Sequence, residues 1–296
     1  LWFQDSGLAR QAAHALHQAD WIAGRLTGNY GHSDYHNCLK LGYDAERLAW
    51  PAWLADLGVN TALLPQVHAP GESLGPLHPG VAALLGLPPE TRVRAGTTDG
   101  VAGFLAAGAH APGHGVTSLG STLVLKLVSD RPVFSPAHGV YSHRLGDRWL
   151  TGGASNSGGA VLAQYFSAEE LRALTPLLKP DVPTGLDYYP LPGIGERFPV
   201  NDPALAPRLS PRPADRVVFL QGLLEGIARI EARGYELLAE LGAPRLTALW
   251  TGGGGAQNSA WKRLRAHLLK IPLHTARSAL AAYGSARLAA GLHEHP

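Results

Sequence analysis

Leu246-Thr247-Ala248-Leu249-Trp250-Thr251 runs straight into Gly252-Gly253-Gly254-Gly255, and residues 259–269 then show apolar positions at helical spacing. Apolar and β-branched residues, a glycine cluster and a helical period spell strand, tight turn and helix. Backbone N–H groups at such a helix start, with no side chains in the way, make a cradle for phosphate. Trp149-Leu150-Thr151, followed by Gly152-Gly153 and a helix near 158–166, repeats the order. Gly120-Ser121-Thr122 divides two β-rich runs, 116–119 and 123–128, as a hairpin would. Any one of these loops alone is more often an ordinary glycine connection. Together they tilt the balance towards nucleotide binding.

Outward from that core, residues 216–241 form a long helix, 270–274 a short strand and 279–292 a terminal helix. Upstream, residues 91–96 are a strand entering a turn that carries Asp99, and 100–109 are a small-residue helix. Ala111-Pro112-Gly113-His114-Gly115 is a loop suited to a domain boundary. Nearer the start, a helix capped by Ser6 runs to Thr27-Gly28. A turn-like stretch covers 29–37, an amphipathic helix 44–57, an extended piece 64–70 and a short helix 81–85. Residues 174–213 are proline-rich and weakly periodic, too long for a plain loop, and are expected to be extended pieces covering a site. The class is α/β.

The 296 residues suggest two domains. Hydrophobic residues make up 45% and charged residues 16%, so the chain has a core to bury and is not disordered. A net charge of +2 argues against a nucleic-acid partner. The single cysteine, Cys38, cannot form an internal disulfide and fits a reducing compartment. No apolar run approaches the roughly 20 residues of a membrane span, and the first residues lack a signal peptide's basic start and apolar core. The expectation is a cytoplasmic protein with no membrane partner. There is no methionine, which implies a processed start or a piece of a longer chain.

Asp99 follows Gly96-Thr97-Thr98 at a strand-to-helix turn. A carboxylate there can take a proton from a substrate hydroxyl, or it can cap the helix; position alone leaves these even. No P-loop is present, the glycine spacing fails the dinucleotide fingerprint at Gln257, and there is no nucleophile elbow. His32 and His36 stand four apart, a metal spacing on a helix, yet no third ligand follows. A polar loop is the better account, and no metal site is assigned. Trp50 and Trp53 are expected in the core, and Cys38 as a buried small hydrophobe.

Taken in order, these loops resemble the FGGY carbohydrate kinases. His17-Gln18-Ala19-Asp20-Trp21-Ile22-Ala23-Gly24-Arg25-Leu26-Thr27-Gly28 resembles the first-domain helix ending in Leu-Thr-Gly. Ala95-Gly96-Thr97-Thr98-Asp99-Gly100 resembles the turn with the catalytic aspartate. Ser118-Leu119-Gly120-Ser121-Thr122, the segment through Gly158-Gly159, Gly253-Gly254-Gly255-Ala256-Gln257-Asn258 and the helix around Tyr283-Gly284-Ser285 complete the set. The resemblance spans nearly this whole chain but only the later two-thirds or so of such a kinase. The opening strands and their Asp-x-Gly-Thr phosphate loop have no counterpart here.

That resemblance implies an actin-like (ribonuclease H-like) ATPase fold with a cleft between two domains. Residues 1–110 would be the remainder of the sugar-binding domain and 111–296 the ATP-binding domain. It implies transfer of the γ-phosphate of ATP, as MgATP, to a ketopentose hydroxyl, with Asp99 as general base and Asp99 and Gly100 at the substrate. Gly120, Ser121, Thr122, Gly158, Gly159, Gly254, Gly255 and Asn258 would bind ATP. Tyr30-Gly31-His32-Ser33-Asp34-Tyr35-His36-Asn37 most resembles the D-ribulose kinase branch, close to the D-xylulose kinases. The expected partners are a sugar and ATP; the oligomeric state is left open, a homodimer being one form. The rival expectation is a non-catalytic nucleotide-binding remnant of a sugar kinase.

Overall fold

The computed structural model describes residues 5–292, which divide into two compact units, residues 5–106 with 280–292, and Ala107–Ala279.

In the first unit, helix α1 spans Gln18–Thr27. It begins later than the sequence suggests, and Ser6 does not cap it. The His17 backbone N–H instead donates to the Asp20 carboxylate at 2.9 Å, a start signal three residues into the helix. The preceding chain is drawn away where the Ala15 N–H donates to the Leu63 carbonyl at 2.7 Å. Strand β1, His32–Asp34, replaces the expected turn and leads into helix α2, Tyr35–Cys38. Asp34 causes that switch, since its Oδ1 accepts the N–H groups of His36 and Asn37 at 2.8 and 3.0 Å.

The helix expected over 44–57 shrinks to α3, Trp53–Asp56. Asp44 turns the chain by accepting the N–H groups of Glu46 and Arg47, both at 2.9 Å, and Pro51 cannot continue a helix from upstream. Trp50 packs edge-on against Tyr43, but Trp53 is 49% exposed and is not a core residue. Strand β2, Gln66–His68, runs parallel to β1. Strand β3, Ser73–Pro76, helix α4, Pro79–Leu85, and strand β4, Arg92–Arg94, follow, with β3 and β4 antiparallel. Helix α5, Asp99–Ala107, closes this stretch.

The second unit is a six-stranded sheet with its helices. Its strands are β5, His114–Leu119; β6, Leu123–Ser129; β7, Tyr141–Leu145; and β8, Arg148–Ser155. Helices α6, Gly159–Tyr165, α7, Ala168–Leu174, and α8, Arg216–Glu240, precede strand β9, Ala248–Gly252. Helix α9, Ser259–Leu269, and strand β10, Leu273–Thr275, complete the unit. The order is β10-β9-β5-β6-β8-β7, with β10, β9 and β5 parallel and β5, β6, β8 and β7 joined antiparallel. The β5–β6 hairpin is the one that the Gly120 turn signals.

The core lies against α8, whose Leu220, Leu223, Leu224 and Ile227 meet Leu123, Leu125 and Leu127 of β6, all fully buried. Each such side chain contributes about 1.5–3 kcal/mol. Asp215 caps α8 by accepting the Val217 N–H at 2.7 Å. Residues 178–213 are irregular, as their prolines require. They are laid along α8, where Gln221 and Glu225 hold the backbone N–H groups of Lys179 and Thr184. The terminal helix α10, Ala281–Ala289, groups with the first unit. Gly284 lets it touch α5, because a Cβ there would collide with the Ala102 carbonyl.

Candidate functional site

A cavity of about 820 Å³ opens in the second unit, within the range of small-molecule sites. One wall is the β5–β6 turn and the start of α6; the other is the glycine turn after β9. Leu162, Phe166, Leu171, Leu224 and Trp261 give it apolar sides, while Arg172, Thr175, Gln257 and Asn258 supply polar groups.

Gly120, Ser121, Gly159, Gly254, Gly255 and Asn258 line this cavity, whereas Thr122 and Gly158 are not among its lining residues. The β5–β6 turn is fastened to α6, with the Gly159 N–H donating to the Gly120 carbonyl at 2.8 Å and the Ala160 N–H to the Ser121 carbonyl at 3.0 Å. Only glycine permits that approach at 158: its φ is 143°, and a Cβ would stand 2.7 Å from the Ser121 carbonyl oxygen. Across the cavity, Gly253 turns the chain out of β9 with φ 81°, 2.6 Å from the Leu119 carbonyl at its would-be Cβ. Asn258 caps α9 by accepting the Trp261 N–H at 2.9 Å, and its amide donates to the Thr175 hydroxyl at 3.3 Å.

Two expectations change here. Gly152 and Gly153 are not a turn but the middle of β8, where a Cβ would meet the Leu125 carbonyl or the Phe198 ring. Of the proline-rich stretch, Thr175 and Pro176 at its start line the cavity, while the later residues do not. The sequence reading missed α7, which adds Ala168, Leu171 and Arg172 to the wall. Its signal was present as Ser167-Ala168-Glu169-Glu170, a capping box in which Ser167 and Glu170 each accept the other's N–H, at 3.1 and 2.8 Å.

In the first unit, Asp99 is the first residue of α5 and is exposed. Thr98 takes the capping place, its carbonyl accepting the Ala102 N–H at 2.9 Å. Asp99 Oδ1 accepts the adjoining Gly100 N–H at 2.7 Å, and its carboxylate faces solvent. The buried His36 holds this turn through its Nδ1 and the Thr97 hydroxyl, 2.7 Å apart. His32 and His36 do not converge: His32 Nδ1 lies 3.0 Å from His68 Nε2. Burial raises the Asp34 carboxyl to about 6 and the Cys38 thiol to about 12. No helix among the described residues is long and apolar enough to cross a membrane.

Residues 115–292 match the family model described as the FGGY family of carbohydrate kinases, C-terminal domain. The chain belongs to the FGGY family of carbohydrate kinases. It is 32% identical to the xylulose kinase of Streptomyces coelicolor over 92% of this chain and 56% of that protein. It is 27% identical to the xylulose kinase of Bacillus subtilis over 90% of this chain and 56% of that one. The crystal structure of xylulose kinase from Rhodospirillum rubrum superposes with a TM-score of 0.83 at 25% identity, over 98% of this chain and 61% of that one. The fold is the actin-like ATPase fold of FGGY sugar kinases. The chain thus spans a little over half the length of the curated relatives it matches.

Proposed function

We propose that the protein acts as an ATP-dependent sugar kinase, moving the γ-phosphate of ATP to a hydroxyl of a ketopentose, D-xylulose or D-ribulose. The observation that carries this is the cavity walled by the Gly120 turn and the Gly254 turn, on a chain whose family phosphorylates sugars. MgATP is a substrate, its adenine beside Gly254, Gly255 and Asn258 and its phosphates towards Gly120-Ser121-Thr122 and Gly158. The apolar walls exclude water from the base, and the backbone N–H groups of the turn supply donors to phosphate oxygens.

Asp99 is the general base. Its exposed carboxylate takes the proton of the attacking sugar hydroxyl as the new O–P bond forms and ADP leaves. Such a step draws its rate mainly from positioning and charge. Nucleotide handling falls to residues 111–296 and sugar handling, with Asp99 and Gly100, to residues 1–110. The two xylulose kinase relatives favour D-xylulose over D-ribulose as the acceptor.

The test is ADP release on mixing MgATP with each ketopentose, alongside calorimetric titration with ADP. Sugar-dependent release supports the kinase reading. ADP binding without sugar-dependent release would instead mark a non-catalytic nucleotide-binding module. Absence of both would refute the nucleotide site.

A further inference from the structure

One buried carboxylate in the second unit has no part in the mechanism above. Glu196, 2% exposed, sits in the irregular stretch after α7. Its Oε2 accepts the Ser155 hydroxyl at 2.5 Å and the Tyr189 hydroxyl at 3.3 Å. Its Oε1 accepts the N–H groups of Asn156 and Arg197, both at 2.7 Å, and that of Phe198 at 3.4 Å. Burial, and then the Glu196 charge, push the Tyr189 hydroxyl upward, so it remains protonated and donates. A buried charge needs such donors to offset its desolvation.

What Glu196 grips matters more than how well it is satisfied. Ser155 ends β8, and the chain then passes through Asn156 and Ser157 to the Gly158 pivot of α6. The same stretch holds this segment twice more: the Asn156 amide donates to the Gly195 carbonyl at 2.9 Å, and the Ser157 hydroxyl to the Pro190 carbonyl at 2.5 Å. From the other side, the Ser157 carbonyl accepts the Leu123 N–H at 2.8 Å, and Gly159 and Ala160 bond the Gly120-Ser121 turn. A continuous set of short hydrogen bonds therefore links Glu196 to the turn that faces the phosphates.

We propose that Glu196 is a positioning residue for the nucleotide's phosphate groups, bracing the Gly120-Ser121 turn through Ser155, Asn156 and Ser157. This rests on the kinase reading above. The irregular stretch is then a brace behind the phosphate turn rather than a cover over the cavity. Glu196 stands on the phosphate side of the cavity's framework and bonds nothing on the Gly254 side. Its loss should therefore loosen the hold on phosphates and leave the hold on the nucleoside.

The test is calorimetric titration of the whole chain with ADP and, separately, adenosine, for wild type, Glu196→Ala and Glu196→Gln, with melting curves of each protein free of nucleotide. Glu196→Ala should bind ADP about tenfold more weakly, the scale of one hydrogen bond to a charged group, with adenosine affinity unchanged. Glu196→Gln keeps an acceptor for the Asn156 N–H and can donate to Ser155, so it should recover most of the ADP affinity. Equal weakening of ADP and adenosine, or unchanged ADP affinity, overturns the proposal. If Glu196→Ala does not fold, Ser155→Ala removes the shortest of the bonds to Glu196 and must weaken ADP selectively; if it does not, the proposal falls. Wild type that binds neither ligand refutes the kinase reading itself, a result distinct from a silent variant.

Discussion

Alanine at two glycines should part stability from binding. Gly158 has φ 143° and ψ −154°, a conformation that L side chains rarely adopt, and holding alanine there costs on the order of 1–3 kcal/mol. Its Cβ would stand 2.7 Å from the Ser121 carbonyl oxygen and 2.9 Å from the Thr122 Cα. Ordinary contact begins at 3.4 Å, so the turn must retreat by roughly 0.7 Å, and both obstacles are backbone that cannot swing aside. With about 2 kcal/mol lost, a unit of this size should melt about 4–8 °C lower. The displaced turn is also the one proposed to face phosphate, so ADP should bind less tightly. Gly254 has nothing within 4 Å of its would-be Cβ yet lines the cavity. Gly254→Ala should therefore keep the wild-type melting temperature and lose ADP affinity alone. The assay is a melt of each variant with and without ADP. A Gly158→Ala protein that melts with wild type, or a Gly254→Ala protein that binds ADP as wild type does, would refute the reasoning.

Three other outcomes follow from the same geometry. Arg265 and Glu231, 1% and 0% exposed, share two 2.6 Å bonds; Arg265→Met should cost about 3–5 kcal/mol by stranding Glu231, while Arg265→Met/Glu231→Leu recovers most of it in urea unfolding. A double variant no more stable than the single would contradict this. Burial lifts Asp34 from 3.8 to about 6, so its folded-state pKa exceeds the unfolded one and its share of stability, full below 3.8, fades as pH rises through 6. Melts across pH 4 to 7 should show that slope, worth about 3 kcal/mol, and Asp34→Asn should flatten it; parallel slopes would count against it. Asp99→Ala should lower sugar-dependent ADP release by orders of magnitude with ADP affinity kept, and wild-type turnover in that variant would remove Asp99 as the base.

The second unit was the more legible half. Its β6 is a nearly continuous apolar run set off by the Gly120 turn, and α8 carries both an Asp215 cap and a helical period, so local signal and tertiary outcome agree there. The first unit was harder, because side-chain capping by Asp20, Asp34 and Asp44 redirected the backbone within runs that look helical or turn-like. At the site, the glycine turns could be located but not their partners. That Gly158 abuts Ser121, or that Glu196 reaches back to Ser155 across 41 residues, depends on contacts with no local pattern. Asp99 stood even between base and cap from position alone; the structure gives the cap to Thr98.

The central claim is that the cavity between the Gly120 and Gly254 turns holds a nucleotide. Its most direct test is calorimetric titration of MgADP into wild type and into Ala163→Trp, which fills the cavity from an exposed position on its α6 wall. Saturable one-to-one binding that disappears in Ala163→Trp is the predicted result. No binding by wild type, or binding that survives the tryptophan, would contradict it.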